Sequence, residues 1–395
     1  MKIKLFFSET ICIFLLIIIK LIRLIIPIRI NSSFSSRIGH FVGVITLFIY
    51  RQEKKFIDLF FVSKKISNIA VYNLFKKKIR FIPKIFSTIM PRLIKTNNKY
   101  KIVRNLSFYY NDEFKFDIRI FESRDVLNLI DKTKIKFSFA KKDQSKIVKK
   151  NNIKYNLKKI ICIHVRDEGY LKKNITNYTD KKANNVNIQS YKKTIIKLIE
   201  LGFTVIRVGK DHNKFLDIKN KHYIDLFKEK IWNDELELFL ISKCKFFIGT
   251  HSGGSMAALY MFKKPTLFTN FVPIGKVFSY SKKIFFIPKK IKKNNNVLSI
   301  NDMFLKKLAF LEKKELFKKN KSQIIDNSPG EILDATLDLI NCLKNEKKFF
   351  NQNKKLLLNF KKVFKNNIEK SSFKSFHGKL NFNIAPSFLK NNSLK

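Results

Sequence analysis

The apolar and polar pattern changes character several times along the chain. Residues 11–30 read ICIFLLIIIKLIRLIIPIRI, an apolar run punctuated by Lys20, Arg23 and Arg29. Its uninterrupted part, Ile11 to Ile19, is shorter than the ~20 residues a spanning helix needs, and no small-residue cleavage site follows it. Lys20 and Arg23 can reach water from a helix lying in a membrane interface, so residues 1–30 are expected to make a monotopic membrane contact. A single signal-anchor helix and a buried core helix are the alternatives. A polar loop then leads to Arg37-Ile38-Gly39-His40, and VITLFIY and FIDLFFV read as buried strands separated by charged RQEKK. A lysine-rich helix over about 65–78 and an apolar-periodic stretch over about 84–95 follow. This alternation predicts a first α/β domain over 31–150, closed by the linker-like KKDQSKIVKKNNIKYN.

The second half has a stronger pattern. KIICIHVR is a continuous apolar strand ending in His164 and Arg166. Ile188, Tyr191, Ile195, Leu198 and Ile199 fall at helical spacing, and Gly202 stands where a glycine would end that helix. FTVIRVG, YIDLF, CKFFIGT and PTLFTNF read as further strands. The helix between the middle two opens at Asn233 and Asp234, which suit an N-cap and a first-turn acid. Such β-α-β-α-β order predicts a parallel sheet over 151–346 that binds ligands at the carboxyl ends of its strands. A basic tail over 347–395 spaces Phe350, Leu356, Leu357, Phe360 and Phe364 at near-helical intervals. It predicts an amphipathic helix with the membrane surface or the N-terminal domain as partner.

Composition adds one oddity. Lys+Arg is 81 against Asp+Glu 30, a formal +51, yet only 11 of those cations are arginines. Sequence-specific nucleic-acid recognition favours the planar guanidinium fork, so no specific nucleic-acid partner is expected. The abundant Lys, Asn, Ile and Phe fit a biased genome, and the surplus charge still draws the chain toward anionic lipid. The four cysteines are far apart and form no CxxC pair, which fits buried thiols in a reducing cytoplasm.

The chemistry gathers where strands end. Phe247-Ile248-Gly249-Thr250 runs into His251-Ser252-Gly253-Gly254-Ser255, small residues that open a helix. Free backbone N–H groups there suit a phosphate, and glycines allow close approach. A tight turn with glycines for helix packing is the competing reading. Arg166 and Arg207 end neighbouring strands, the latter beside Gly209. Bidentate contacts to a pyrophosphate would account for guanidinium at both; an ion pair to Asp167 or Asp225 is the alternative for these arginines. Arg166, Arg207, Gly209, Thr250, Ser252, Gly253, Gly254 and Ser255 together predict a diphosphate pocket.

His164-Val165-Arg166-Asp167 with Tyr170-Leu171, then Tyr191, Ile206-Arg207-x-Gly209, Ile224-Asp225 and the Cys244–Gly253 run resemble a bacterial glycosyltransferase family. Its members often sit among surface-polysaccharide functions and are distantly similar to fucosyltransferase-like GT-B enzymes. Arg37-Ile38-Gly39-His40-Phe41, Phe286-Ile287-Pro288-Lys289, Ile325-Asp326-Asn327-Ser328-Pro329 and Ile384 with Ser387-Phe388-Leu389 extend the resemblance over most of the chain. It departs at Asn184-Asn185-Val186-Asn187, where the family usually has an arginine and an acid, and at Gly254, where a larger residue is common.

The resemblance implies a GT-B-like α/β protein with two Rossmann-like domains facing a cleft. The N-terminal domain would hold a glycan or lipid-linked acceptor through Arg37, Gly39 and His40, and the C-terminal one a nucleotide-sugar. Arg166 would stabilise the leaving diphosphate, where charge develops as the glycosidic bond breaks. His40 suits the general base by its near-neutral pKa, and Asp167 competes with it. No D-x-D occurs, so neither a metal nor another cofactor is expected. The implied location is the cytoplasmic face of the inner membrane. A catalytically silent nucleotide- or glycan-binding member of the fold is the alternative.

Overall fold

The computed structural model describes residues 2–51, 55–107, 124–169, 173 and 183–392, with the side chains of 2–8 excepted. The chain is mixed α/β and divides into two compact units, Met1–Asp125 and Val126–Lys395.

In the first unit a parallel sheet of order β1-β2-β3 is formed by Ile28–Ser32, Ile57–Phe61 and Arg80–Phe81. The apolar run at the N-terminus is not one element. A helix spans Lys2–Ile22, the chain turns ahead of Pro27, and Ile28 enters the sheet as the start of β1. Arg29, placed in the membrane segment by the sequence, instead lies opposite Asp58 on β2. There it makes a buried two-point ion pair, Nε to Oδ1 at 2.8 Å and Nη2 to Oδ2 at 2.7 Å. Cys12 and Leu16 pack with Ile30, Phe61, Leu93, Val103 and Leu106, so one face of the N-terminal helix belongs to the core. Among the described residues no helix is long and apolar enough to cross a membrane.

VITLFIY is helical, contrary to its strand-like reading, and lies inside the helix Ile38–Arg51. Residues Phe41 to Leu47 are all buried, so no polar face marks the 3.6-residue period, and a helix enclosed on all sides reads like a buried strand. Arg37 and His40 therefore stand at and in the first turn of a helix rather than within a loop.

The second unit is built on a seven-stranded parallel sheet. Its members are β4 (Ile160–His164), β5 (Thr204–Arg207), β6 (Tyr223–Asp225), β7 (Phe247–Gly249), β8 (Thr266–Phe271), β9 (Ile284–Pro288) and β13 (Asn383–Ile384). A small sheet of β10 (Lys290–Lys293), β11 (Asn296–Val297) and β12 (Ser322–Ile325) sits beyond β9. The main order is β13-β9-β8-β7-β4-β5-β6. From β4 the chain winds outward through β5 and β6, then returns to the other side for β7, β8 and β9. The winding direction reverses between β4 and β7, and crevices open at the carboxyl ends of strands flanking such a reversal.

The linker-like segment folds into this unit. Lys141–Lys150 is a helix packed on Asp234–Lys243, with Ile147 buried and Lys243 Nζ donating to Gln144 Oε1 at 2.6 Å. The tail forms the amphipathic helix Glu346–Glu369, and its apolar face packs on the second unit's own sheet. Phe349 packs against Phe285 and Phe360 against Phe286, with ring centroids 6.1 and 6.0 Å apart. The chain then adds β13 alongside β9, pairing Asn383 with Phe285 and Ile384 with Phe286.

Candidate functional site

The reversal point is framed by the ends of β4 and β7. Thr250, fully buried after β7, accepts through Oγ1 from the Arg166 backbone N–H at 2.9 Å, and its own N–H donates to the His164 carbonyl at 3.1 Å. These bonds hold the two strand exits together. Gly249 makes the approach possible, because a Cβ there would stand 2.2 Å from the His164 carbonyl oxygen. Arg166 is half-buried at this junction, and its carbonyl accepts from Val186 N at 3.0 Å.

On the β7 side, Ser252 caps the helix Gly253–Met256, which continues as a π turn through Met261. Ser252 and Ser255 form a reciprocal capping box, with Ser255 N donating to Ser252 Oγ at 3.4 Å and Ser252 N to Ser255 Oγ at 3.0 Å. The N–H groups of Gly253 and Gly254 begin the helix and have no acceptor within it. At Gly254 a Cβ would meet nothing closer than 3.5 Å, so its backbone does not demand glycine. His251 lies against Phe271 and Phe278.

Arg207 sits differently. It is 1% exposed, and its Nη1 donates to Asp225 Oδ2 at 3.0 Å and to the Lys214 carbonyl at 2.8 Å. This is the ion-pair geometry, and through Nη1 it fixes the segment that follows β5, while Nε and Nη2 make no hydrogen bond. Asp167 also serves the loops. Its Oδ1 accepts from Gly169 N at 3.0 Å and its Oδ2 from Asn213 N at 3.1 Å, with Arg207 Nη2 and His212 Nδ1 each 3.9 Å away.

Two histidines pack behind this network, and sequence reasoning left His212 out. Burial, mutual repulsion and the Arg207 charge pull the His164 pKa down to about 3, so its imidazole is neutral. Burial and Arg207 bring His212 likewise to about 3. Gly209, at φ +100°, leaves room for both rings: a Cβ would stand 2.6 Å from His164 Cδ2 and 3.0 Å from His212 Cε1. Glycine is needed there for both the backbone angle and the space.

The acceptor-side residues belong to the first unit. Arg37 is exposed, and Gly39 and His40 are half-buried in the opening turn of Ile38–Arg51. Tyr170 and Leu171 lie outside the described residues.

Further along the same sheet edge the structure joins residues quoted above only as separate motifs, and adds Asn270, which no local pattern signalled. Asn270, near the end of β8, and Asn327 exchange backbone-to-side-chain bonds of 2.6 and 2.7 Å. Lys289, buried after β9, donates to Asp326 Oδ1 at 2.5 Å and to the Asn185 carbonyl at 3.2 Å. Both side-chain polar atoms of Asn185 are buried without a partner, and Asn187 caps the turn Ile188–Tyr191. On the β5–β6 side, Phe215, Phe227, Lys228, Lys230 and Trp232 line a cavity of about 490 Å³. Phe215 and Phe227 stack there at 6.4 Å, and Lys210 Nζ stands 4.6 Å over the Trp232 ring. Phe215 follows by two residues Asn213, whose N–H the Asp167 carboxylate holds.

The second unit is thus an α/β unit on a parallel sheet whose winding reverses between β4 and β7, with Arg166, Thr250 and Ser252 at that point. No family model and no curated protein matches the sequence. Among solved structures, the chain is similar to the ADP-heptose LPS heptosyltransferase II of E. coli, with TM-score 0.42 and 11% identity over 63% of this chain and 86% of that one. It is also similar to a family 9 glycosyl transferase of Veillonella parvula, with TM-score 0.40 and 9% identity over 64% and 83%. A third is E. coli heptosyltransferase WaaC with ADP-2-deoxy-2-fluoro heptose, at TM-score 0.32 and 10% identity over 61% and 88%.

Proposed function

We propose that the second unit binds a nucleoside diphosphate-sugar and that the protein is a glycosyltransferase of GT-B type. One observation carries the reading: Arg166 and the helix opening at Ser252 stand on opposite sides of the sheet's reversal point, tied together through Thr250. A diphosphate between them would meet a guanidinium on one side and the first N–H groups of a helix on the other. Negative charge grows on the leaving diphosphate as the bond to the sugar breaks, and the Thr250 bonds hold the two strand exits that carry these groups before that happens. The reaction is proposed to need no metal, since these groups meet the charge. Arg207 and Asp167 act one layer back by shaping the loops after β4 and β5. The cavity between Phe215, Phe227 and Trp232 offers faces on which the base can stack.

The first unit is proposed to receive a cell-surface glycan or lipid-linked acceptor. His40 is the proposed base, because both Asp167 oxygens already accept backbone N–H groups. A second reading, a nucleotide-binding protein without turnover, is favoured by Asn184 to Asn187, where Asn187 caps a turn and the Asn185 amide has no partner.

The test combines thermal unfolding with a donor-hydrolysis panel. A nucleoside diphosphate at ~100 times its Kd should stabilise the fold by ~3 kcal/mol. Arg166→Ala should remove most of that shift and the turnover with it. Stabilisation without turnover on any donor selects the silent reading. If no nucleotide stabilises the wild-type protein, the pocket is misassigned.

A further inference from the structure

The N-terminal helix has two apolar faces, and only one is used by the fold. Cys12 and Leu16 point into the core of the first unit. Ile11, Phe14, Ile17 and Leu21 recur at steps of three and four, forming a second stripe that is exposed. The turn beyond the helix extends it: Leu24 is 82% exposed and Ile25 86%.

A second segment joins at the same end. Glu9 and Lys99 are ion-paired at 2.8 Å, so the helix Ile89–Tyr100 runs antiparallel to the N-terminal helix. Its start, and the turn Lys84–Thr88 before it, therefore lie toward Ile22. That turn exposes Ile85 at 82% and Phe86 beside it.

The surrounding charge is almost wholly of one sign. Across residues 1–30 and 80–104 the only carboxylate is Glu9, already paired with Lys99, while Lys20, Lys84, Arg92 and Lys95 are exposed. An apolar stripe beside unbalanced lysines is what an in-plane interfacial helix needs, with long basic side chains reaching the headgroups. A second copy of this chain would bring the same excess of cations against these residues and be repelled. Nor is the helix long and apolar enough to cross a bilayer.

We propose that this face seats the first unit on an anionic lipid surface, with the helix in the membrane plane and Leu24, Ile25, Ile85 and Phe86 inserted at one end. The proposal stands independently of the nucleotide pocket in the second unit. It gives the basic composition a local task, because an anionic leaflet contributes ~1 kcal/mol per nearby lysine or arginine.

The experiment is co-sedimentation of the full chain with vesicles of phosphatidylglycerol in phosphatidylcholine, and with phosphatidylcholine alone. The wild type should pellet with the anionic vesicles and bind the neutral ones ~10-fold or more weakly. Leu24→Ser/Ile25→Ser/Ile85→Ser should weaken binding ~10-fold or more while leaving thermal unfolding unchanged, since all three side chains are exposed. Lys20→Glu/Lys84→Glu should lower binding to anionic vesicles alone. The proposal is overturned if the wild type stays in the supernatant, or if the triple variant binds as well as wild type. It is equally overturned if sedimentation velocity shows a dimer that this triple substitution dissociates.

Discussion

The pair Arg207–Asp225 lies at the carboxyl ends of adjacent strands, with each side chain 1% exposed and a 3.0 Å contact between them. At that distance, and an effective dielectric near 20, the attraction is ~5 kcal/mol before the desolvation of both ions is counted. Net worth is therefore small, but removing one partner strands a buried charge and costs ~3–5 kcal/mol. Asp225→Asn keeps the acceptor oxygen for Phe227 N and Lys228 N, now at 3.2 and 3.1 Å, but turns an amide NH2 toward Arg207, so it removes both the charge and the acceptor that Arg207 uses. Arg207→Met removes the other charge at similar length. Each single variant should lower the melting point by ~6–20 °C. The double variant removes both charges of the pair, leaves Asp167 its two backbone N–H donors, and should lose only ~1–3 kcal/mol, less than either single, for the Lys214 carbonyl bond and one orphaned amide. Trp232, the only tryptophan, belongs to the second unit, so its fluorescence reports that unit's unfolding. The double variant should retain nucleoside diphosphate stabilisation, reduced in affinity through the loosened 211–215 segment. Singles costing under ~1 kcal/mol would refute the buried pair. A stable double variant blind to every nucleotide would show instead that Arg207 touches the phosphates.

Two further outcomes follow from burial. His164 and His212 have pKa values pulled from 6.5 to about 3, so the unfolded chain binds protons that the folded one refuses, and stability falls as pH drops from 6.5 toward 3. Glu237, pushed up to about 7 by burial, contributes stability fully present below 4.5 and lost as pH rises through 7. Between pH 7 and 5 each histidine loses ~2 kcal/mol and Glu237 returns ~2, so urea unfolding of Glu237→Gln should show a loss of ~4 kcal/mol where wild type shows about half; a flat Glu237→Gln profile would contradict neutral buried imidazoles. Truncation after Asn345 removes the Phe349–Ile368 face and β13, baring Phe285, Phe286 and the edge of β9; the shortened protein should aggregate, as seen by light scattering, and a stable monomer would refute the docked tail.

What the sequence disclosed depended on contrast. KIICIHVR, FTVIRVG, YIDLF, CKFFIGT and PTLFTNF are short apolar runs between turn signals, and β4 to β8 fall within them. The helix Ile38–Arg51 offers no such contrast, since its middle is enclosed on all sides. Lys141–Lys150 reads as a linker because Ile147 is its one buried residue. At the site, the strand exits and the Ser252 helix opening were visible as small residues after apolar runs. The choice of partner for Arg207 was not, because an ion pair and a phosphate contact ask for the same residue at the same place. Lys289 with Asp326 and Asn270 with Asn327 join residues 37 and 57 apart, and local pattern carries no information at that range.

The placement of β13 has a consequence for synthesis. Its partner β9 leaves the ribosome about a hundred residues earlier, and at ~5–20 residues per second the edge of β9 waits ~5–20 s for its neighbour. During that interval Phe285 and Phe286 lie on an open strand edge, the kind of surface that pairs with other nascent chains. The lysine-laden helix Glu346–Glu369 emerges in between and can lay its phenylalanines over β9 before β13 arrives.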